Sequence, residues 1–216
     1  KDFPRMLAFS SIGQLGMVFI AFSLPGVIGL LAGLAVMLHH LIVKPALFGL
    51  AVRWNGSLQA LAGAARGSPV AAGLFVLFAL SLVGVPPLPG FWAKLLVLIG
   101  LAQAGEPLHM AALATILVVT VVEANYLFRL AVRLYRDTDQ PRRAHAALDL
   151  GAVALLGAVL VTVAWGVAPV GDILRRVAEQ AADVDGYVST VFAPVDAQAS
   201  VAPPAGNPSF ALRDAP

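Results

Sequence analysis

The sequence predicts an all-α integral membrane protein, on three observations. Of its 216 residues, 59% are hydrophobic and only 12% are charged, against roughly 25% charged in soluble domains. Mean hydropathy is +0.86. The apolar runs are continuous and long enough to cross a bilayer as helices, not the ~10-residue alternating segments of a membrane barrel.

About five spans follow in order. Met6 to Leu24 is the first, closed by Pro25-Gly26. Its Ser10, Ser11, Gly13 and Gln14 are small or polar and read as helix-packing positions. Val27 to Val52 is the second, with Arg53, Trp54 and Asn55 marking its interfacial end. Ser57 to Arg66 is too short and polar to span and reads as a connector. Pro69 to Ala104 is apolar but interrupted by Gly84-Val85-Pro86-Pro87-Leu88-Pro89-Gly90. No continuous helix survives these prolines, so this span is broken. Leu108 to Leu134 is the fourth and Leu148 to Ala168 the last.

The basic residues decide whether 69–104 crosses once or twice. With one broken crossing, Lys1, Arg5, Arg53, Arg66 and the Arg133–Arg143 cluster share a side. Cytoplasmic loops carry the excess of lysine and arginine. One crossing is therefore preferred, with the N-terminal end cytoplasmic and the tail outside. The expected division is a transmembrane unit over 1–168, an amphipathic surface helix over 169–184 and a disordered tail over 185–216. On that helix Ile173, Leu174 and Val177 are expected on one side, and Arg175, Arg176 and Glu179 on the other. The tail is rich in Ala, Pro, Ser and Asp.

Composition also excludes function classes. The net charge of +2 is too small to suggest nucleic acid. The lack of cysteine excludes disulfides, cysteine-ligated iron–sulfur clusters and thiol chemistry in this chain. No phosphate-cradling loop, metal-spaced cluster or nucleophile elbow is present. Haem ligation by His39 or His40 would want a second histidine on a facing span, whereas His109 and His145 lie at span ends. No signal peptide precedes the first span and the chain starts without Met, so it reads as the C-terminal part of a longer protein.

What remains is ionisable groups inside the spans, each costing at least ~2.5–3.5 kcal/mol on insertion scales. His40 and Lys44 are four apart and share a helix face. A histidine and a lysine linked there by water make a proton-relay step. His39 points elsewhere and carries less weight. Lys94 follows the proline break by four residues, where a partly desolvated amine can take up and release a proton. Glu123 lies near the centre of its span; paired with Lys94 it would be ionised. Charges on three crossings suggest a polar path through the bundle.

Three stretches carry a family resemblance. Lys1-Asp2-Phe3-Pro4-Arg5-Met6-Leu7-Ala8-Phe9-Ser10-Ser11-Ile12-Gly13-Gln14-Leu15-Gly16 resembles the pattern DLKRLLAYSSIxQxG, with Phe3 and Pro4 departing from it. His40-Leu41-Ile42-Val43-Lys44-Pro45-Ala46-Leu47-Phe48 resembles HxxxKxxLF. Leu82 to Lys94 resembles LxGxPPLxGFxxK. These patterns belong to the antiporter-like, proton-conducting subunits of respiratory complex I, membrane-bound hydrogenases and multi-subunit Na⁺/H⁺ antiporters. The resemblance implies two inverted five-helix repeats, of which this chain holds most of the second plus a final helix. It implies a relay role for Lys44 and His40, and for Lys94 a place at the broken helix leading outside. A glutamate and a lysine of the first repeat would lie upstream. Glu123 looks more like the hydrogenase-type members.

The expected function is thus a proton-translocating subunit of a redox-driven complex in the cell inner (plasma) membrane, with no redox cofactor or metal of its own. Its partners would be other membrane subunits, the bilayer and protons. One alternative is a subunit exchanging Na⁺ or K⁺ for H⁺. The other is a structural scaffold whose buried charges fix helix packing.

Overall fold

The computed structural model describes residues 2–54, 58, 61–136 and 150–192. Two units are distinguished, Lys1–Ala182 and Asp183–Pro216.

The first unit is an all-helical bundle built around its second helix. Helix α1 (Phe3–Phe22) starts where the Asp2 carboxylate accepts the Arg5 N–H at 3.3 Å. Pro4 costs nothing there, because the first helical N–H groups have no intrahelical acceptor. Helix α2 (Gly26–Arg53) keeps Pro45 in its interior. At 28 residues it is ~42 Å long, enough for the ~30 Å hydrocarbon core. A one-turn α3 (Ala64–Gly67) leads into α4 (Pro69–Val83).

The broken span has local causes at each step. Gly84, at φ 92°, takes the left-handed position that closes α4. Pro86 and Pro87, joined by a cis bond, cannot continue a helix. Pro89 then opens α5 (Pro89–Ala104) at its first turn. With 15 and 16 residues, each half is only ~22–24 Å long and too short to cross alone. The packing shows a single crossing. Ser68, before α4, accepts from Arg53 Nη2 at 3.3 Å, at the end of α2. At the other extreme, Gly100 of α5 lies against Leu24 and Ile28, at the start of α2.

Helix α6 (Pro107–Tyr135) crosses back, and the Arg133 carbonyl accepts the Gly63 N–H at 3.2 Å. Arg5, Arg53, Arg66 and Arg133 therefore share a side, as one crossing requires. Helix α7 (Gly151–Trp165) begins beside Gly49 of α2.

At the C-terminal end the last apolar helix ends at Trp165, and the chain bends by 87° into α8 (Val167–Ala182). Gly166 makes the corner and Pro169, one turn on, has no N–H to extend α7. On α8, Val170, Leu174 and Ala178 face inward, while Ile173 (60%) and Val177 (45%) are exposed. The 3.6-residue period selects the inward set, so Leu174 parts from Ile173 and Val177.

The second unit is described by itself. It contains α9 (Val184–Val191), capped by Asp183, whose Oδ1 accepts from the Gly186 N–H at 2.9 Å. Residues 185–191 are thus helical where a disordered tail was expected. The rest of that expected tail, 193–216, lies outside the described residues.

The apolar core of the bundle falls into two clusters. One holds Phe3, Trp54, Phe75, Leu127 and Leu134. The other holds Met17, Leu24, Val36, Val97 and Ile116. Between them, buried polar residues form a layer: Gln14, His39, Ser81, Lys94 and Glu123.

Candidate functional site

Five helices, α1, α2, α4, α5 and α6, contribute to the layer. On α1, Ser10 and Gln14 are one turn apart and so share a face. From α2 come His39 and Lys44, from α5 Lys94, and from α6 Thr120, Glu123 and Tyr126. Lys94 reaches the middle because the break lets α5 start there.

Glu123 is the hub, 5% exposed. Its Oε1 accepts from the Ser10 hydroxyl at 2.8 Å and the Tyr126 hydroxyl at 3.3 Å. Its Oε2 accepts from Gln14 Nε2 at 3.1 Å and from Lys94 Nζ at 3.3 Å. A buried ammonium and carboxylate in hydrocarbon are tolerable only as such a pair with further hydrogen bonds. Lys94 Nζ also donates to the Val83 carbonyl at 3.2 Å and to Thr120 Oγ1 at 3.4 Å. That carbonyl lies in the last turn of α4, where the break leaves backbone acceptors without helical partners.

Lys44 joins the hub through Ser10. Its Nζ donates to Ser10 Oγ at 2.6 Å, and that hydroxyl donates to Glu123. The result is an unbroken line, Lys44–Ser10–Glu123–Lys94, across four helices. A cavity of about 740 Å³ opens on it between α1 and α6, lined by Ser10, Gln14, Lys94 and Glu123 among apolar neighbours.

The structure sets the two histidines in different surroundings. His39 is 5% exposed, and its Nε2 lies 2.9 Å from Ser81 Oγ beside the break. His40 is half-buried and its Nδ1 has no hydrogen-bond partner. The structure thus unites Lys44, Lys94 and Glu123, sets His39 next to the break, and leaves His40 outside the line. His109 lies at the start of α6, 3.6 Å from Glu106, and His145 lies outside the described residues.

Sequence reasoning misses Ser10 and Gln14, reading them as packing residues. Their signal is the four-residue spacing of two polar side chains inside a span that has no charge of its own. Ser10→Ala tests the connection. Losing one buried partner costs ~1–3 kcal/mol, so under the transport reading proposed below, ion flux is expected to fall on the order of tenfold or more with assembly intact. Unchanged flux in reconstituted vesicles would remove Ser10 from the line.

A mid-membrane polar layer, crossed by a broken helix and centred on a lysine–glutamate pair, defines a multi-pass membrane bundle with a buried charged layer. The chain belongs to the family described as NADH:quinone oxidoreductase/Mrp antiporter, transmembrane, which matches residues 1–120. It is 34% identical over 147 residues to NADH-quinone oxidoreductase subunit N of Desulforudis audaxviator, covering 65% of this chain and 29% of that protein. It is 26% identical over 199 residues to an Na⁺/H⁺ antiporter subunit of Alkalihalophilus pseudofirmus, covering 88% and 40%. In three dimensions it resembles a chain of the membrane-bound sulfane sulfur reductase, an archaeal respiratory complex, with TM-score 0.80 and 27% identity over 89% of this chain and 40% of that one. The Mrp complex of Dietzia sp. DQ12-45-1b gives TM-score 0.73 and 25% identity over 86% and 44%. The chain thus spans less than half the length of these relatives.

Proposed function

We propose that this chain is part of a proton-translocating membrane subunit of a redox-driven complex, working in the cell inner membrane beside other membrane subunits. The observation that carries this is the hydrogen-bonded line Lys44–Ser10–Glu123–Lys94 at mid-depth. Ammonium, hydroxyl and carboxylate groups in contact can pass a proton by small reorientations, and the cavity beside them can hold the water that extends the path. In this reading Lys44 and Lys94 are the proton-carrying stations, Glu123 couples them, and His39 serves the exit beside the break. His40, implied by the family resemblance, is a secondary station reached through water. The redox reaction belongs to neighbouring subunits. Residues up to α7 form the conducting part, and α8 is a surface helix.

Lys94→Ala tests this in the assembled complex. Redox activity is expected to persist while proton pumping, read by a pH-sensitive dye in sealed vesicles, is lost. If assembly and pumping both survive, the assignment of the line is wrong. A second reading is favoured by the match to an Na⁺/H⁺ antiporter subunit over 88% of this chain. There the same substitution would produce a sodium-sensitive growth defect with redox activity untouched. A scaffold role would show as weaker assembly, with full transport in whatever assembles.

A further inference from the structure

A second cavity, of about 460 Å³, lies on the opposite side of α2 from the polar line, beneath α8. Its volume is within the ~300–1,000 Å³ of ordinary ligand sites. Its walls are Leu31 and Leu38 of α2, Leu96 of α5 and Leu174 of α8. The lining is mostly apolar, as a hydrocarbon occupant requires. His39 lines it too, and two charged residues do, Asp172 and Arg175.

Depth and orientation match an amphiphile. The midpoint of α2 is near residue 40, and half a hydrocarbon core of ~15 Å corresponds to ~10 residues. Leu31 is therefore close to the edge of the hydrocarbon, and α8 crosses α2 there after its 87° turn. Asp172 and Arg175 are exposed on α8, one turn apart, and form no ion pair with each other among the described residues. One acid and one base at the edge of the hydrocarbon are the complement of a zwitterionic head group. A purely anionic head group would meet Asp172 as a like charge.

We propose that this cavity holds an acyl chain of a phosphatidylethanolamine-type lipid, with its phosphate on Arg175 and its ammonium on Asp172. The chain end reaches the His39 side of the polar layer. Hydrocarbon there keeps water from bypassing the break, since His39 bonds to Ser81 at that point. The lipid is thus an insulating part of the bundle.

The test uses the full-length protein in its native membrane complex, reconstituted with lipids whose acyl chains carry a photoactivatable group. Phosphatidylethanolamine probes are expected to label peptides containing Leu38, Leu96 and Val170 about tenfold more than phosphatidylglycerol probes. The double variant Asp172→Asn, Arg175→Gln should bring the two to parity; both residues are exposed, so the bundle stays folded. Equal labelling by both head groups in the native protein, or adducts confined to the outward Ile173 and Val177, would overturn the proposal. This chain has no cysteine, so Leu38→Cys, in a complex whose other accessible thiols are first blocked, gives a second readout. Protection from a membrane-impermeant thiol reagent in phosphatidylethanolamine bilayers is expected, and rapid labelling would show water there instead.

Discussion

Glu123→Ala is expected to abolish transport and to destabilise the assembled protein by about 3–5 kcal/mol, the cost of leaving a buried ion without its partner. The effect is large because four side chains lose one acceptor together. Lys94 keeps only the Val83 carbonyl and Thr120, while Ser10, Gln14 and Tyr126 lose the carboxylate that holds them. Two companions separate charge from shape. Glu123→Gln keeps an acceptor oxygen, so it should assemble better than the alanine variant yet transport no faster. Pairing Glu123→Ala with Lys94→Met removes the orphaned ammonium and should recover most of the stability without recovering transport. Thermal unfolding in detergent and dye quenching in vesicles read the two quantities. Transport at the native rate in Glu123→Ala would refute the hub.

Gly90→Ala is the second large effect, and its origin is steric. A Cβ at Gly90 would collide with the Ser81 carbonyl oxygen and lie 2.8 Å from His39 Nε2. The nearest obstacle is backbone, so α4 and α5 must move apart at the break. Overpacking of this kind costs ~1–3 kcal/mol and sometimes more, and here it also breaks the His39–Ser81 contact. Both melting temperature and transport are expected to fall. Gly73→Ala on α4 is the control: a Cβ there meets nothing within 4 Å, and alanine suits a helix interior better by ~0.5–1 kcal/mol. If both substitutions behave alike, close approach at the break is unimportant.

The helices and the break were legible in the sequence because their causes are local: apolar runs of spanning length, Gly84 at a left-handed position, and prolines that end one helix and start the next. The charged members of the site were legible for a related reason, since Lys44, Lys94 and Glu123 stand out against hydrocarbon. The connecting residues were not. A serine or glutamine in a span looks the same whether it packs against a neighbour or hands a hydrogen bond to a carboxylate 113 positions away, as Ser10 does. Choosing between His39 and His40 depended on the rotation of α2, which its partners on α4 and α5 set and its own sequence does not. The bend into α8 was legible only as Gly166 followed by Pro169; its 87° angle was not, because packing against α2 sets it.

A carboxylate has about four lone-pair sites, and Glu123 meets four donors: Ser10, Gln14, Tyr126 and Lys94. At rest, then, every site is taken, and a proton reaches Glu123 only along one of these four hydrogen bonds. Under the proton-carrying reading it arrives from the Lys94 ammonium or through the Ser10 hydroxyl and leaves by another of the same bonds. Conductance would then be ruled by side-chain reorientation around a single saturated acceptor.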